Sequence, residues 1–436
     1  MRICLINPPI YMMQEPIQIY YPTGLLYLAS YLREHGHLVT VIDAPAQGFS
    51  YKERQSSGLW YMGLTSRQII DTVASFEPNI VGITIIFSIN ASVSYHLALN
   101  IKKAMNVPIV FGGPHASVKP DECLKYADYV IVQEGEASML KLVETLEAKE
   151  EHERLTVSKP IPDLDALPFP ARDMIPMNTY FSSVRLSMIH GIKGMNRWAT
   201  VITSRGCPYD CSFCAIHRTM GRGWRGRSPS NVVSEIDSLV KTYGVTDIVI
   251  EDDNATLKPD RMREICVEIV NRNYGLNFYV PNGIRADTLD DDLLLKMNQA
   301  GFKEIWIAPE SGSQRVVDDV IGKKQSLRKV EEVVKQGTKI GMKVSCFFVV
   351  GNPGETLNEM YETINFARKL KGLGMHRYHW GYATPYWGTR LYEDCVKNGY
   401  LIEGFDNNSI TPSFPSIITP DWSLLDLLEV KNKFRI

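Results

Sequence analysis

The stretch SRGCPYDCSFCAIH, residues 204–217, sets Cys207, Cys211 and Cys214 within eight positions of one another. Thiolate sulfur selects zinc and iron–sulfur clusters. Structural zinc is one reading, with His217 as fourth ligand. Such sites use separated ligand pairs that pin distant segments together, whereas these candidates crowd into one loop directly after a strand-like run. An iron–sulfur cubane ordinarily takes four cysteines. The other five, Cys4, Cys123, Cys266, Cys346 and Cys395, are scattered along the chain. Three thiolates on a cubane would leave one iron open to a small molecule, and iron–sulfur is the favoured expectation.

That loop must be held by the elements around it. From residue 199, strands are expected at ATVITS, DIVIED, NFYVPN, EIWIAP, KVSCFFVVG and YHWGYATP, with helices at about 229–243, 259–273, 290–300, 326–341 and 357–371 between them. Six units are too few for an eight-fold barrel and predict a partial (β/α)6 barrel over residues 196–390. Parallel βα folds place their chemistry at the carboxyl ends of the strands, where the cysteines fall. Residues 1–148 alternate β-branched runs (RICLINP, LVTVIDA, IVGITII, PIVFGG, YVIVQEG) with amphipathic stretches. They predict an α/β, Rossmann-like, doubly wound sheet of about five strands. Residues 149–195 hold a charged run and PIPDLDALPFPARDMIP with its five prolines, and read as a linker. Residues 391–436 read as a short segment with no pattern of its own.

The totals bound the partners. The 436 residues are 44% hydrophobic and 22% charged with net charge −2, an ordinary globular balance with no general pull toward nucleic acid or anionic membrane. No run of about eighteen apolar residues would span a bilayer. The scattered cysteines and the strand-like start MRICLINPP point to a reducing, cytoplasmic setting. Residues 193–227 carry Lys193, Arg197, Arg205, Arg218, Arg222, Arg225 and Arg227 against one Asp. Most such runs are solvated loops, and a minority contact an anionic ligand.

C-x3-C-x2-C with Phe213 before the last cysteine resembles the radical S-adenosylmethionine (SAM) superfamily, over residues 199–390. The resemblance implies a 4Fe–4S cluster on Cys207, Cys211 and Cys214, with SAM chelating the open iron beside Phe213 and yielding a 5′-deoxyadenosyl radical on one-electron reduction. Further matches follow successive strands. In IEDDN, Asp253, flanked by Glu251 and Asp252, would hold the SAM ammonium. In PNGIRADTL, Arg285 would reach its carboxylate. In APESGSQRVV, Glu310 would bond the ribose or the ammonium. In VVGNPGET, Gly351 and Gly354 would let the backbone approach the adenine.

The N-terminal NPP, YPTGLLYLASYLREHGHLVTVIDA, GGPHAS and EGE resemble the cobalamin-binding domain that precedes this barrel in the B12-dependent branch. Gly112 and Gly113 would admit the nucleotide tail, and Glu134 in QEGE would add polar contacts. The D-x-H-x-x-G motif is missing; His35, His37, His96 and His115 do not sit in its frame. The loop FSINAS, with Phe87, Ser88 and Asn90, is the expected cover of the lower cobalt face. Only Cys4 and Cys123 precede residue 200, so a second, three-cysteine cluster of the methylthio-transferring branch is not expected.

The whole resembles a cobalamin-dependent radical SAM C-methyltransferase. That implies an external one-electron donor and methyl transfer from methylcobalamin to an unactivated carbon. A short C-terminal segment suits a peptide or protein substrate, such as glutamine or arginine of methyl-coenzyme M reductase, ahead of a small molecule. Tyr378 and Tyr382, near the last strand, are candidates to relay protons or electrons, or else aromatic packing. The alternatives are an oxidative cyclase or ring-rearranging enzyme of the same branch, and a non-catalytic zinc or redox-sensing protein.

Overall fold

The computed structural model describes residues 1–13, 19–184, 194–406 and 411–434. The chain divides into two compact units, Met1–Trp198 with Arg218–Gly221, and Ala199–His217 with Arg222–Ile436.

In the first unit Arg2–Asn7, Leu38–Asp43, Ile80–Thr84, Ile109–Gly112, Tyr129–Val132 and Leu155–Val157 form one sheet, every neighbouring pair parallel. The strand order places Arg2–Asn7 between Leu38–Asp43 and Ile80–Thr84. The direction of winding reverses there, which opens a crevice beyond the carboxyl ends. Ile3, Cys4, Leu5 and Ile6 are fully buried, as expected of a strand covered by helices on both faces. Those helices are Thr23–Glu34, Ser66–Phe76, Ala91–Ala104 and Glu136–Glu147.

Two features depart from the sequence expectation. The sheet gains a sixth strand, Leu155–Val157, from the charged run read as linker. Ile10–Met12, Trp60–Met62 and Lys52–Arg54 add a small antiparallel sheet; strands of three residues are too short to show a period. The proline-rich segment packs into the first unit, burying Leu164, Leu167, Ala171, Ile175, Met177 and Tyr180. Tyr180 stacks on Tyr21 with ring centroids 3.9 Å apart, and its hydroxyl donates to Asp43.

In the second unit Trp198–Val201, Asp247–Ile250, Asn277–Ile284, Phe302–Glu310, Lys343–Val350 and Tyr378–Tyr382 lie side by side in chain order, a partial barrel. The pairs from Asp247–Ile250 onward are parallel. The intervening helices begin on classical stops: Ser228 caps Pro229–Tyr243, Asp290 caps Asp291–Gln299, Ser326 caps Leu327–Lys339, and Thr356 forms a capping box with Glu359 for Leu357–Gly372. Register shifts break the ladder between Val280 and Ile284 and between Ile307 and Glu310. Such irregularities re-aim side chains at strand ends, and Glu310 has φ +66°.

Within the C-terminal segment, read as patternless, two helices are present. Arg390–Asn398 and Leu424–Lys433 are helices, and Trp422, Leu427, Val430 and Phe434 are buried. Among the described residues, no helix is long and apolar enough to cross a membrane.

Candidate functional site

The loop after the first barrel strand is closed at its neck by Ser204–Arg205 pairing antiparallel with Arg225–Gly226. Cys207, Cys211 and Cys214 lie inside it, half-buried and free of disulfides, with Phe213 half-buried beside Cys214. The residues after the second strand hold its stem. Buried Asp252 accepts from Thr203 N at 2.5 Å, Thr203 Oγ1 at 2.6 Å and Ser204 Oγ at 2.6 Å. Asp253 Oδ2 accepts from Gly206 N at 2.9 Å. Asn254 Nδ2 points at Cys207 Sγ, 3.8 Å away. The IEDDN motif therefore holds the cysteine loop with three consecutive side chains. Asn254 was not singled out in the sequence, although its place directly after Asp253 was a usable signal.

The far side of the loop is held by two other segments. Ser212 N donates to Ile321 O at 2.8 Å, and Leu391 N donates to Ser212 O at 2.9 Å. Asp210 pairs with Arg222 at 3.0 Å and Arg390 at 3.3 Å. The Arg285 guanidinium lies 3.8 Å from the centre of the Tyr209 ring.

The donor set fits a cluster. Burial, then the neighbouring Cys211, Cys207 and Asp253, push the Cys214 thiol up to about 12. Burial also raises Cys211, with Lys323 and Arg285 opposing. Binding of a cluster must displace the protons of thiols so placed. Three soft sulfurs on one loop are the donor set that three corners of a 4Fe–4S cluster need. Cys207, Cys211 and Cys214 would hold it, leaving one iron for SAM.

The remaining candidates are placed unequally. Burial, then Asp252, push the Asp253 carboxyl up to about 6 against Gly206 N–H, Arg205 and Arg225, and it is one of the charges felt by Cys214. It is thus beside the cluster loop, as an ammonium partner must be. Glu310 and Lys323 form a buried ion pair at 2.7 Å; Lys323 carried no sequence signal. Gly351 has φ +81°, and a Cβ there would meet Leu427 Cδ2 at 3.3 Å, so its bare face looks at the C-terminal helix. Behind it Glu355, fully buried, accepts from Gly351 N at 2.9 Å and Asn352 N at 3.0 Å.

The hydroxyls of Tyr378 and Tyr382, the catalytic candidates, are engaged with the C-terminal helix. Tyr378 Oη donates to Phe434 O at 3.0 Å and buried Tyr382 Oη to Leu427 O at 3.1 Å. Both fasten the C-terminal helix to the last strand. The basic run is likewise spent in part on structure: Arg227 is buried against Glu235, Arg222 pairs with Asp210, and Arg197 stacks on Phe181 at 4.4 Å. Lys193 lies outside the described residues.

In the first unit, topology brings the cobalamin candidates to the carboxyl edge of the sheet. Phe87 is half exposed at 50%, and Ser88–Asn90 form a turn directly after the third strand. Ser88 Oγ lies 2.9 Å from His115 Nδ1, and His115 Nε2 lies 2.8 Å from Tyr95 Oη. Burial, then Lys119, hold that imidazole down to about 4. Asn90 Oδ1 accepts from Tyr11 N at 2.7 Å. Glu134 Oε2 accepts from Ile161 N at 3.1 Å. A Cβ on Gly112 would meet only Ile131 O at 3.8 Å. Gly113 is different: with φ +93°, a Cβ would sit 2.7 Å from Thr84 Oγ1 and 3.1 Å from Ile85 O. Packing between neighbouring strand ends demands that glycine.

Comparison with known proteins bears on both units. The radical SAM superfamily model matches residues 201–367, and the B12 binding domain model matches residues 12–143. An uncharacterized methyltransferase of Pyrococcus horikoshii is 30% identical over 400 residues, 87% of this chain and 80% of the relative. The cytidylyl-2-hydroxyethylphosphonate methyltransferase of Streptomyces wedmorensis is 28% identical over 92% of this chain and 82% of its own. The anaerobic magnesium-protoporphyrin IX monomethyl ester cyclase of Rubrivivax gelatinosus is 26% identical over 92% of this chain and 70% of its own. The fold is that of the radical SAM methyltransferase TsrM of Kitasatospora setae, solved with tryptophan substrate and a SAM analogue (TM-score 0.67, 17% identity, 94% of this chain and 79% of that one). The chain therefore belongs to the cobalamin-binding radical SAM methyltransferases, with a 4Fe–4S cluster, SAM and cobalamin as its cofactors.

Proposed function

We propose that this methyltransferase transfers a methyl group to an unactivated carbon of a small organic molecule, drawing electrons from an external one-electron donor. When bound, the cluster, SAM and cobalamin supply a hydrogen-abstracting radical and a transferable methyl group. The observation that carries the reading is the three-thiol loop at the carboxyl end of the first barrel strand, in a chain that also matches the B12 binding domain. Asp253 would fix the SAM ammonium by charge, and Asp252 and Asn254 would keep the loop in the shape the cluster needs. The cofactor-facing parts of Ser88, Asn90 and Gly112 would meet the corrin from the sheet edge.

A small substrate is favoured over a protein side chain for two reasons. The C-terminal segment packs Trp422, Leu427 and Phe434 into the barrel unit, so the argument from an unfilled tail no longer holds. The relatives whose names carry a substrate act on a nucleotide-linked phosphonate and on a tetrapyrrole. The cyclase among them keeps a second reading in play, ring formation without net methyl transfer.

The test uses reconstituted protein, a reductant, and SAM labelled with a trideuterated methyl group, with small metabolites and proteins of the host extract as separate probes. Label entering the small-molecule fraction supports the proposal. Label entering protein restores the side-chain substrate. Loss of hydrogen from a product without label identifies the cyclase.

A further inference from the structure

Arg285 follows the third barrel strand and is buried at 7% exposure. Two of its hydrogen bonds run to the segment beyond the fourth strand, Nη1 donating to Lys323 O at 2.7 Å and Nη2 to Lys324 O at 3.0 Å, and Nη2 also donates to the nearby Asp287 Oδ2 at 2.6 Å. Asp287 Oδ1 accepts from Ser326 N at 3.3 Å, and Gln325 Oε1 accepts from Ala286 N at 3.0 Å. The same segment touches the cysteine loop directly, where Ile321 O accepts from Ser212 N at 2.8 Å. The guanidinium carbon then lies over the ring of Tyr209, which stands between Cys207 and Cys211, 3.8 Å from its centre.

A carboxylate is gripped at two points either through Nε and Nη2 or through Nη1 and Nη2. Both modes need Nη2, and both Nη2 hydrogens are committed, one to Asp287 and one to the Lys324 carbonyl. Nε is buried without a partner. The side chain is built to join three pieces of protein. A desolvated cation over an aromatic ring is attracted by the ring's negative face. Lysine cannot both stack flat and fork to two carbonyls.

We infer that Arg285 is a positioning residue that clamps the cluster-binding loop through Tyr209, and not the residue that holds the SAM carboxylate. The inference rests on Cys207, Cys211 and Cys214 being the cluster ligands. Loss of the clamp loosens the span between the first two ligands, so it weakens cluster capture before it affects SAM.

The experiment reconstitutes full-length wild type, Arg285→Gln, Arg285→Lys and Tyr209→Leu with limiting iron and sulfide. It reads iron per chain and the electron paramagnetic resonance (EPR) spectrum of the reduced cluster with and without SAM. The clamp predicts that both Arg285 variants and Tyr209→Leu load severalfold less iron. The double variant Arg285→Gln/Tyr209→Leu should load no less than either single one, and the clusters that do form should still shift their signal with SAM. Normal loading with a lost SAM shift in Arg285→Gln would overturn the inference and return Arg285 to the carboxylate. If Arg285→Gln fails to fold, Tyr209→Leu decides: full loading there contradicts the clamp. A Cys211→Ala variant that loads as much iron as the wild type would instead remove the ligand assignment itself.

Discussion

Asp253 sits where two demands meet. Its carboxylate accepts the Gly206 N–H at 2.9 Å, yet burial pushes its pKa up to about 6. Only the ionised form attracts an ammonium. SAM affinity should therefore be full above pH 7 and fall as pH drops through about 6 and the carboxylate takes up a proton. Asn at this position keeps an acceptor for Gly206 but loses the charge. A hydrogen bond to a charged group contributes about 1.5–3 kcal/mol, so Asp253→Asn should weaken SAM binding roughly tenfold or more and flatten the pH dependence. Equilibrium dialysis with SAM across pH 5–8 measures both effects; unchanged affinity would remove Asp253 from the SAM site. The tyrosines answer differently. Tyr382→Phe loses one bond to the Leu427 carbonyl. It should lower stability by about 1 kcal/mol in a denaturant melt, while 5′-deoxyadenosine formation stays at the wild-type rate.

The Gly351–Glu355 turn buries a carboxyl group whose charge is only partly compensated. Glu355 is fully buried, its Oε2 takes the N–H groups of Gly351 and Asn352, and its Oε1 has no partner. Burial pushes its pKa up to about 7, above the ordinary value of 4.5. In this window the folded state binds more protons than the unfolded one, so stability falls as pH rises. The contribution is complete below about pH 4.5 and is lost as pH rises through about 7. Glu355→Gln, neutral at every pH, should flatten that decline, and chemical denaturation at pH 5 and pH 8 checks it. The same scale shows what sequence reading can reach. Helices with a cap and a 3.6-residue period, such as Pro229–Tyr243 behind Ser228, were legible to within a residue or two. The three-residue strands Ile10–Met12, Lys52–Arg54 and Trp60–Met62 were not, because their pairing is decided by partners distant in the chain. Leu424–Lys433 was missed although Leu424, Leu427 and Leu428 repeat at helical spacing behind a Ser423–Asp426 capping box. The cysteines were legible because all three ligands share one loop. The partners of Arg285, Lys323, Lys324 and Tyr209, were not legible, because they meet it only in three dimensions.

At the scale of the whole molecule, two α/β units carry two cofactor chemistries in one chain. The B12 binding domain model and the radical SAM model cover separate stretches, residues 12–143 and 201–367. Three half-buried thiols on one loop are the donor set that a three-ligand cluster needs. The competing structural-zinc reading differs from this one in a quantity that can be counted. Elemental analysis of protein purified and reconstituted without oxygen, with cobalamin supplied, is the most direct measurement. It should give about four irons and about one cobalt per chain, with the iron lost in Cys211→Ala. One zinc per chain, with neither iron nor cobalt retained, would contradict the account.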